Sequence, residues 1–126
     1  MAITHVVTGT GSSLQDSLGA GHVVSGSVTA TAGTDAVLTS NDSSAVLTRA
    51  AAGNYTVTFG EPFLAAPIVT VSAIAAFATD TGYTAQIVSS ATNAVVINVY
   101  TTTGTTVACA LADHNFTFIA VGKRYN

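Results

Sequence analysis

Tryptophan is missing from this chain, and cysteine, methionine, proline and ionised side chains are all scarce. Charged residues fill 7 % of its 126 positions, where an ordinary soluble domain carries about 25 %. Arg49, Lys123 and Arg124 are the only cations besides histidine, and the net charge is −3. Nucleic acid is thereby excluded as a partner, because neutralising a phosphate backbone takes several clustered Lys or Arg. The single Cys109 can close no disulfide within the chain. In the run Val107-Ala108-Cys109-Ala110-Leu111 it reads as a small hydrophobe of the core. No 18-residue apolar stretch offers a membrane span, and Met1-Ala2-Ile3-Thr4-His5 lacks the basic and apolar regions of a signal peptide. The expectation is a protein made in a cytoplasm, with no membrane partner.

Thr, Ser, Ala, Val and Gly take the place of the missing charges. These residues are small or β-branched and suit strands and tight turns better than helices. At 12.5 kDa the chain is one domain with room for a core and no need of staples. A lone small globule with so few charges is poorly solubilised, so part of its surface is expected to be covered by copies of itself or by a partner.

The chain is organised around Gly53 to Ser72. Tyr55, Val57 and Phe59 fall on one side of an extended segment, while Asn54, Thr56 and Thr58 fall on the other, as the two-residue period of a half-buried strand requires. Gly60-Glu61-Pro62 interrupts the ladder, since proline brings no amide donor. Pro67 then opens a second run in which Val69 and Val71 point the same way. Two strands are thus joined by a loop holding both prolines of the protein.

Elsewhere the same grammar repeats. His22 to Ala32 is extended, with Val24 and Val28 facing one way, and Gly33-Thr34-Asp35 turns. Ser40-Asn41-Asp42-Ser43 favours a turn through side chains that bond their own backbone, which suggests a hairpin from Val37-Leu38 to Val46-Leu47. Asp80-Thr81-Gly82 reads as a turn before a strand in which Tyr83, Ala85 and Ile87 alternate with polar neighbours. Ala91-Thr92-Asn93 turns back into Val95 to Tyr100, apolar on both faces except at Asn98 and so a central strand. Thr101 to Thr105 reads as a flexible turn, and Phe116 to Val121 is the last strand. Eight or so short strands at hairpin spacing make an all-β, antiparallel β-sandwich or jelly roll over residues 22–126. Residues 1–21, rich in Gly and Ser, read as a flexible N-terminal arm.

No catalytic constellation emerges. Val6 to Gly11 lacks the third glycine and the helix of a dinucleotide fingerprint. Asp80-Thr81-Gly82 matches the tripeptide of aspartic proteases, but Tyr83 stands where that pattern wants a small residue, and a turn of Asp and Gly needs no further cause. No serine sits in a Gly-x-Ser-x-Gly elbow. His5, His22 and His114 are scattered without the spacing of a metal site. The expectation is a protein that is not an enzyme and uses no cofactor and no metal.

The pattern Gly53-x-Tyr55-x-Val57-x-Phe59, Pro62-Phe63, Pro67-x-Val69-x-Val71 and Phe116-x-Phe118-x-Ala120-x-Gly122 resembles small trimeric virion proteins of tailed bacteriophages. These are the β-sandwich decoration (cement) proteins of heads and related knobs at fibre tips. The same strand pattern is also similar to H-type lectin domains, although the tryptophan usual in their last strand is missing here. The resemblance covers roughly residues 46 to 122. It implies a homotrimer at a capsid surface, partnered by the major capsid protein or other virion proteins, that stabilises the head by burying surface. The alternative it implies is a receptor-binding fibre tip that touches a host glycan through loops such as Asp80 to Tyr83 or Thr101 to Thr106. Under the first reading the oligomer interface is expected at Val95, Ile97, Val99, Tyr100, Phe116 and Phe118. The capsid-contact arm is expected to use Ile3, Val6, Val7, Leu14 and Leu18.

Overall fold

Residues 21–30, 36–74, 81–103 and 109–124 are described by a computed structural model of the chain, and every regular element among them is a strand. In order these are β1 (Gly21–Thr29), β2 (Val37–Ser40), β3 (Val46–Ala51), β4 (Asn54–Thr58), β5 (Ile68–Ala73), β6 (Thr81–Ser90), β7 (Ala94–Thr103), β8 (Cys109–Leu111) and β9 (Phe116–Lys123). They form two antiparallel sheets, one in the order β2-β1-β9-β5 and the other in the order β3-β4-β7-β6, with β8 pairing β7. The expected β-sandwich is the fold.

Alternation puts every second residue of each strand between the sheets. Val24 and Val28 of β1 meet Phe116, Phe118 and Ala120 of β9 on one inner face, and Tyr55, Val57, Val95, Ile97 and Val99 of β4 and β7 line the other; all are buried. Such side chains each contribute about 1.5–3 kcal/mol of apolar burial. The central reading of Val95 to Tyr100 holds, since β7 has β6 along one side and β4 and β8 along the other.

The segment with both prolines carries the chain from β4 in one sheet to β5 in the other. Its backbone is hydrogen-bonded despite the irregular path: Phe59 N–H donates to Asn93 O at 2.9 Å, Phe63 N–H to Thr92 O at 2.8 Å and Leu64 N–H to Lys123 O at 3.0 Å. Phe63 is fully buried, edge-on to Phe59 with ring centroids 5.0 Å apart and tilted against His22 at 4.6 Å. This aromatic plug fixes the crossover to the end of the core.

Four local expectations are corrected. Ser40 to Ser43 joins no hairpin, because β2 pairs with β1 and β3 with β4. The turn residues grip other strands: Asn41 accepts from Ser25 N–H at 2.8 Å and donates to Val23 O at 2.9 Å, while Asp42 accepts from Ser44 N–H and Gly60 N–H. Thr81 and Gly82 lie already within β6, paired with Thr103 and Thr102, so the described parts of the expected turns at 80–82 and 101–105 belong to strands, and Asp80, Gly104 and Thr105 lie outside the described residues. Cys109 is exposed, as are Ala110 and Leu111, because among the described residues β8 is an edge strand with β7 as its one pairing partner. The turn at Gly33-Thr34-Asp35 lies outside the described residues.

Gly53 ends the β3–β4 turn with φ of +71°, and a Cβ there would sit 2.6 Å from both Ala112 N and Val99 O. Backbone atoms cannot yield as a side-chain tip does, and a left-handed φ strains any L-residue. Gly53→Ala is therefore expected to destabilise the fold by more than about 2 kcal/mol in chemical denaturation.

Candidate interaction surface

Five of the six residues expected at an oligomer interface are inside the sandwich. Val95, Ile97, Val99 and Phe116 have no exposed surface and Phe118 has 1 %, so they hold the two sheets together and leave nothing for a neighbour to touch. The apolar strands that suggested a contact between copies are the chain's own core. Tyr100 differs: it is half-buried on the outer face of the five-stranded sheet, where its hydroxyl accepts from Asn98 Nδ2 at 3.2 Å. The arm residues Ile3, Val6, Val7, Leu14 and Leu18 lie outside the described residues.

What is exposed is a different set. On the outer face of the four-stranded sheet, Val23, Val121 and Ile68 stand in one row across β1, β9 and β5, and Ile119 follows in the next row between Ser25 and Thr70. Val23, Val121 and Ile119 are each about half exposed, and Ile68 is 78 % exposed. Ser27, Thr117 and Ser72 continue the face with hydroxyls, above a shallow groove of about 570 Å³ lined by Ser25, Ser27, Thr39 and Ile119. Among the outward positions of these strands Lys123 is the one ionised side chain. An aliphatic patch of this kind, uninterrupted by charge, marks an interaction surface.

The five-stranded sheet turns a different chemistry outward. Asn54, Asn98 and Gln86 form a row across β4, β7 and β6, with Asn54 Nδ2 donating to Asn98 Oδ1 at 2.8 Å. Beside them stands Tyr100. Amides and a phenol in one plane can donate to and accept from neutral hydroxyls.

Among the described residues the charged groups are mostly committed to the fold. Asp113, with 6 % of its side chain exposed, receives Arg49 through Nε at 3.0 Å and Nη2 at 2.7 Å, the Gly53 amide at 2.9 Å and the Tyr55 hydroxyl. Arg49 reaches it because it shares with Leu47 the half-buried phase of β3. The Arg49 hydrogen bonds hold the Asp113 carboxyl well below the usual carboxylate range against the opposing effect of burial, with Tyr55 and Gly53 adding to them. Burial pushes the Tyr55 phenol up, and its hydrogen bond to Asp113 adds to that. This is a latch between the β3–β4 turn and the link from β8 to β9.

His114 stacks on Tyr83 with ring centroids 3.7 Å apart, and its Nε2 meets Ile74 O. His22, Glu61, Asp42 and Arg124 border a cleft of about 340 Å³. Their polar groups are spent locally: Glu61 pairs with Arg124 at 3.1 Å, and His22 Nε2 lies 3.2 Å from Glu61 O. Among the described residues no group of three or more His, Cys, Asp or Glu could hold a metal ion. The Asp113 latch is the arrangement that sequence reasoning missed. Its one signal was an arginine at the inward phase of an apolar strand in a chain with three such cations. Compared with family models, curated proteins and solved structures, the chain has no match.

Proposed function

We propose that this chain is a non-enzymatic structural protein of a phage virion, a head decoration protein that works as a homotrimer and stabilises the shell by covering it. The observation that carries the reading is the aliphatic face of the four-stranded sheet, Val23, Ile68, Ile119 and Val121, set among hydroxyls. Its occupant on this reading is a similarly uncharged surface of the shell. Covering the exposed part of each aliphatic side chain contributes about 1 kcal/mol, and repetition over the copies of an oligomer multiplies the attachment.

The test is co-sedimentation with empty expanded heads. Ile119→Asp, at the centre of the face, is expected to weaken attachment at least tenfold, because a carboxylate would have to be desolvated without a partner. Its thermal unfolding should be nearly unchanged, as the side chain is outside the core. Equal attachment of wild type and variant would remove this face from the contact. The row Asn54-Asn98-Gln86 beside Tyr100 favours a second reading, a receptor-binding module that recognises a host glycan. Glycan-array binding lost in Asn98→Ala, with no affinity for heads, would select it.

A further inference from the structure

The two outer faces of a β-sandwich look in opposite directions, because each sheet turns its inner face to the shared core. A copy attached through its four-stranded sheet therefore turns the five-stranded sheet away from whatever holds it. That second face is made for a different contact. β4, β6, β7 and β8 contain no ionised side chain, and the one in β3, Arg49, is held by Asp113. An acidic or a basic ligand would find no counter-charge on these strands.

The face offers an ordered set of neutral donors and acceptors instead. Asn54 Nδ2 donates to Asn98 Oδ1 at 2.8 Å, and Asn98 Nδ2 donates to the Tyr100 hydroxyl at 3.2 Å. These bonds fix which end of each amide points where. Since the phenol accepts, its own proton remains to be donated, and Asn54 Oδ1 remains to accept. Gln86, across from Asn98, and Thr84, across from Tyr100, are both exposed and add an amide and a hydroxyl. Neighbouring strands space these groups about 4.8 Å apart, a span that one sugar ring covers.

Chemistry narrows the occupant. Nucleic acid needs cations that are missing from the face. An extended peptide takes up its backbone hydrogen bonds at the edge of a sheet and not on its face. An apolar ligand would strip water from the amides and return nothing. A neutral polyhydroxyl ligand fits, since each of its hydroxyls both donates and accepts.

We propose that the outer face of the five-stranded sheet binds an uncharged cell-surface glycan through Asn54, Gln86, Asn98 and Tyr100, while the four-stranded sheet is seated on the shell. Shell and glycan are then two partners of one copy and not competing alternatives. The site is the sheet itself and not the loops at its ends. The outward display rests on the decoration reading; the glycan contact does not.

The test is a printed array of neutral, sialylated and sulfated oligosaccharides probed with the full chain. The neutral member held best is then immobilised and offered heads carrying the protein. Binding to neutral members, weakened roughly tenfold in Gln86→Ala, supports the site. Gln86 is exposed, so thermal unfolding of this variant should match wild type. Preference for acidic members, or equal binding by wild type and Gln86→Ala, overturns the site. Capture of decorated heads where bare heads pass through supports the display. A chain that co-sediments with heads and binds no member overturns this inference and leaves the decoration reading standing. A chain that binds neutral members and never joins heads overturns the decoration reading and the display, and leaves the glycan contact standing. Decorated heads that pass through although the free chain binds overturn the display alone.

Discussion

Asp113→Ala is expected to lower the unfolding free energy by about 3–5 kcal/mol, a large share of the stability of a domain this size. The carboxylate is nearly buried and receives four donated hydrogen bonds: two from Arg49 and one each from Gly53 N–H and the Tyr55 hydroxyl. Its removal orphans the Tyr55 hydroxyl and the Gly53 amide inside the end of the sandwich, each costing about 1–3 kcal/mol. The sign of the pH dependence follows from the lowered carboxyl pKa. The latch contributes fully above the ordinary carboxylate range and fades as the pH falls below about 5, where the unfolded chain takes up the proton first. Tyr55 acts in the opposite sense, since its raised pKa makes its contribution complete below about pH 10 and lost only as the pH climbs beyond. Urea titrations from pH 3 to 7 should therefore show the wild type losing stability on acidification, and Asp113→Asn, with no charge to protonate, losing markedly less. Parallel slopes for the two proteins would show that Asp113 is not the group responsible.

Phe63→Ala is the second large effect, expected at about 3–5 kcal/mol. The ring is fully buried between His22 and Phe59, and Gly122 of β9 lies so close that a Cβ there would stand 2.8 Å from it. Removing the ring leaves a cavity whose walls belong to both sheets and cannot collapse together. Because the effect falls on the crossover, amide exchange should rise first at Phe59, Phe63 and Leu64, whose N–H groups tie the loop to Asn93, Thr92 and Lys123. Thermal unfolding of Phe63→Ala within a degree or two of wild type would mean that the two prolines alone hold the crossover.

The parts of the fold that were legible in the sequence are those that alternation writes locally. Tyr55, Val57 and Phe59 share a phase, so do Val95, Ile97 and Val99, and each set is buried. What alternation cannot say is what lies across from a strand. Val95 to Val99 satisfied an expectation of contact with a sister copy equally well, because a buried apolar row looks the same whether its cover comes from the same chain or another. Cys109 failed for the converse reason: the run is apolar, yet all three residues of its edge strand are exposed. Asp113 and Arg49 are 64 residues apart, and no local period links them. The turn at Ser40 to Ser43 was visible through its Asn and Asp, but the direction in which the chain leaves it depends on β1 and on Gly60, which hold those side chains from a distance.

The strand order has a consequence for the way the protein is made. β9, which follows every other described strand in the sequence, lies between β1 and β5, and bonds such as that from Ala30 N–H to Asn115 span 85 residues. The β1–β2, β3–β4 and β6–β7 pairs can assemble as they emerge, whereas β5 and the second side of β1 must wait for β9, translated long after them. Sequence-distant pairing of this kind slows folding, and until it is complete half the sandwich presents bare β-branched strands to its surroundings. A nascent chain halted before Phe116 should therefore be far more prone to capture by chaperones or to clumping than one released a few residues after Lys123.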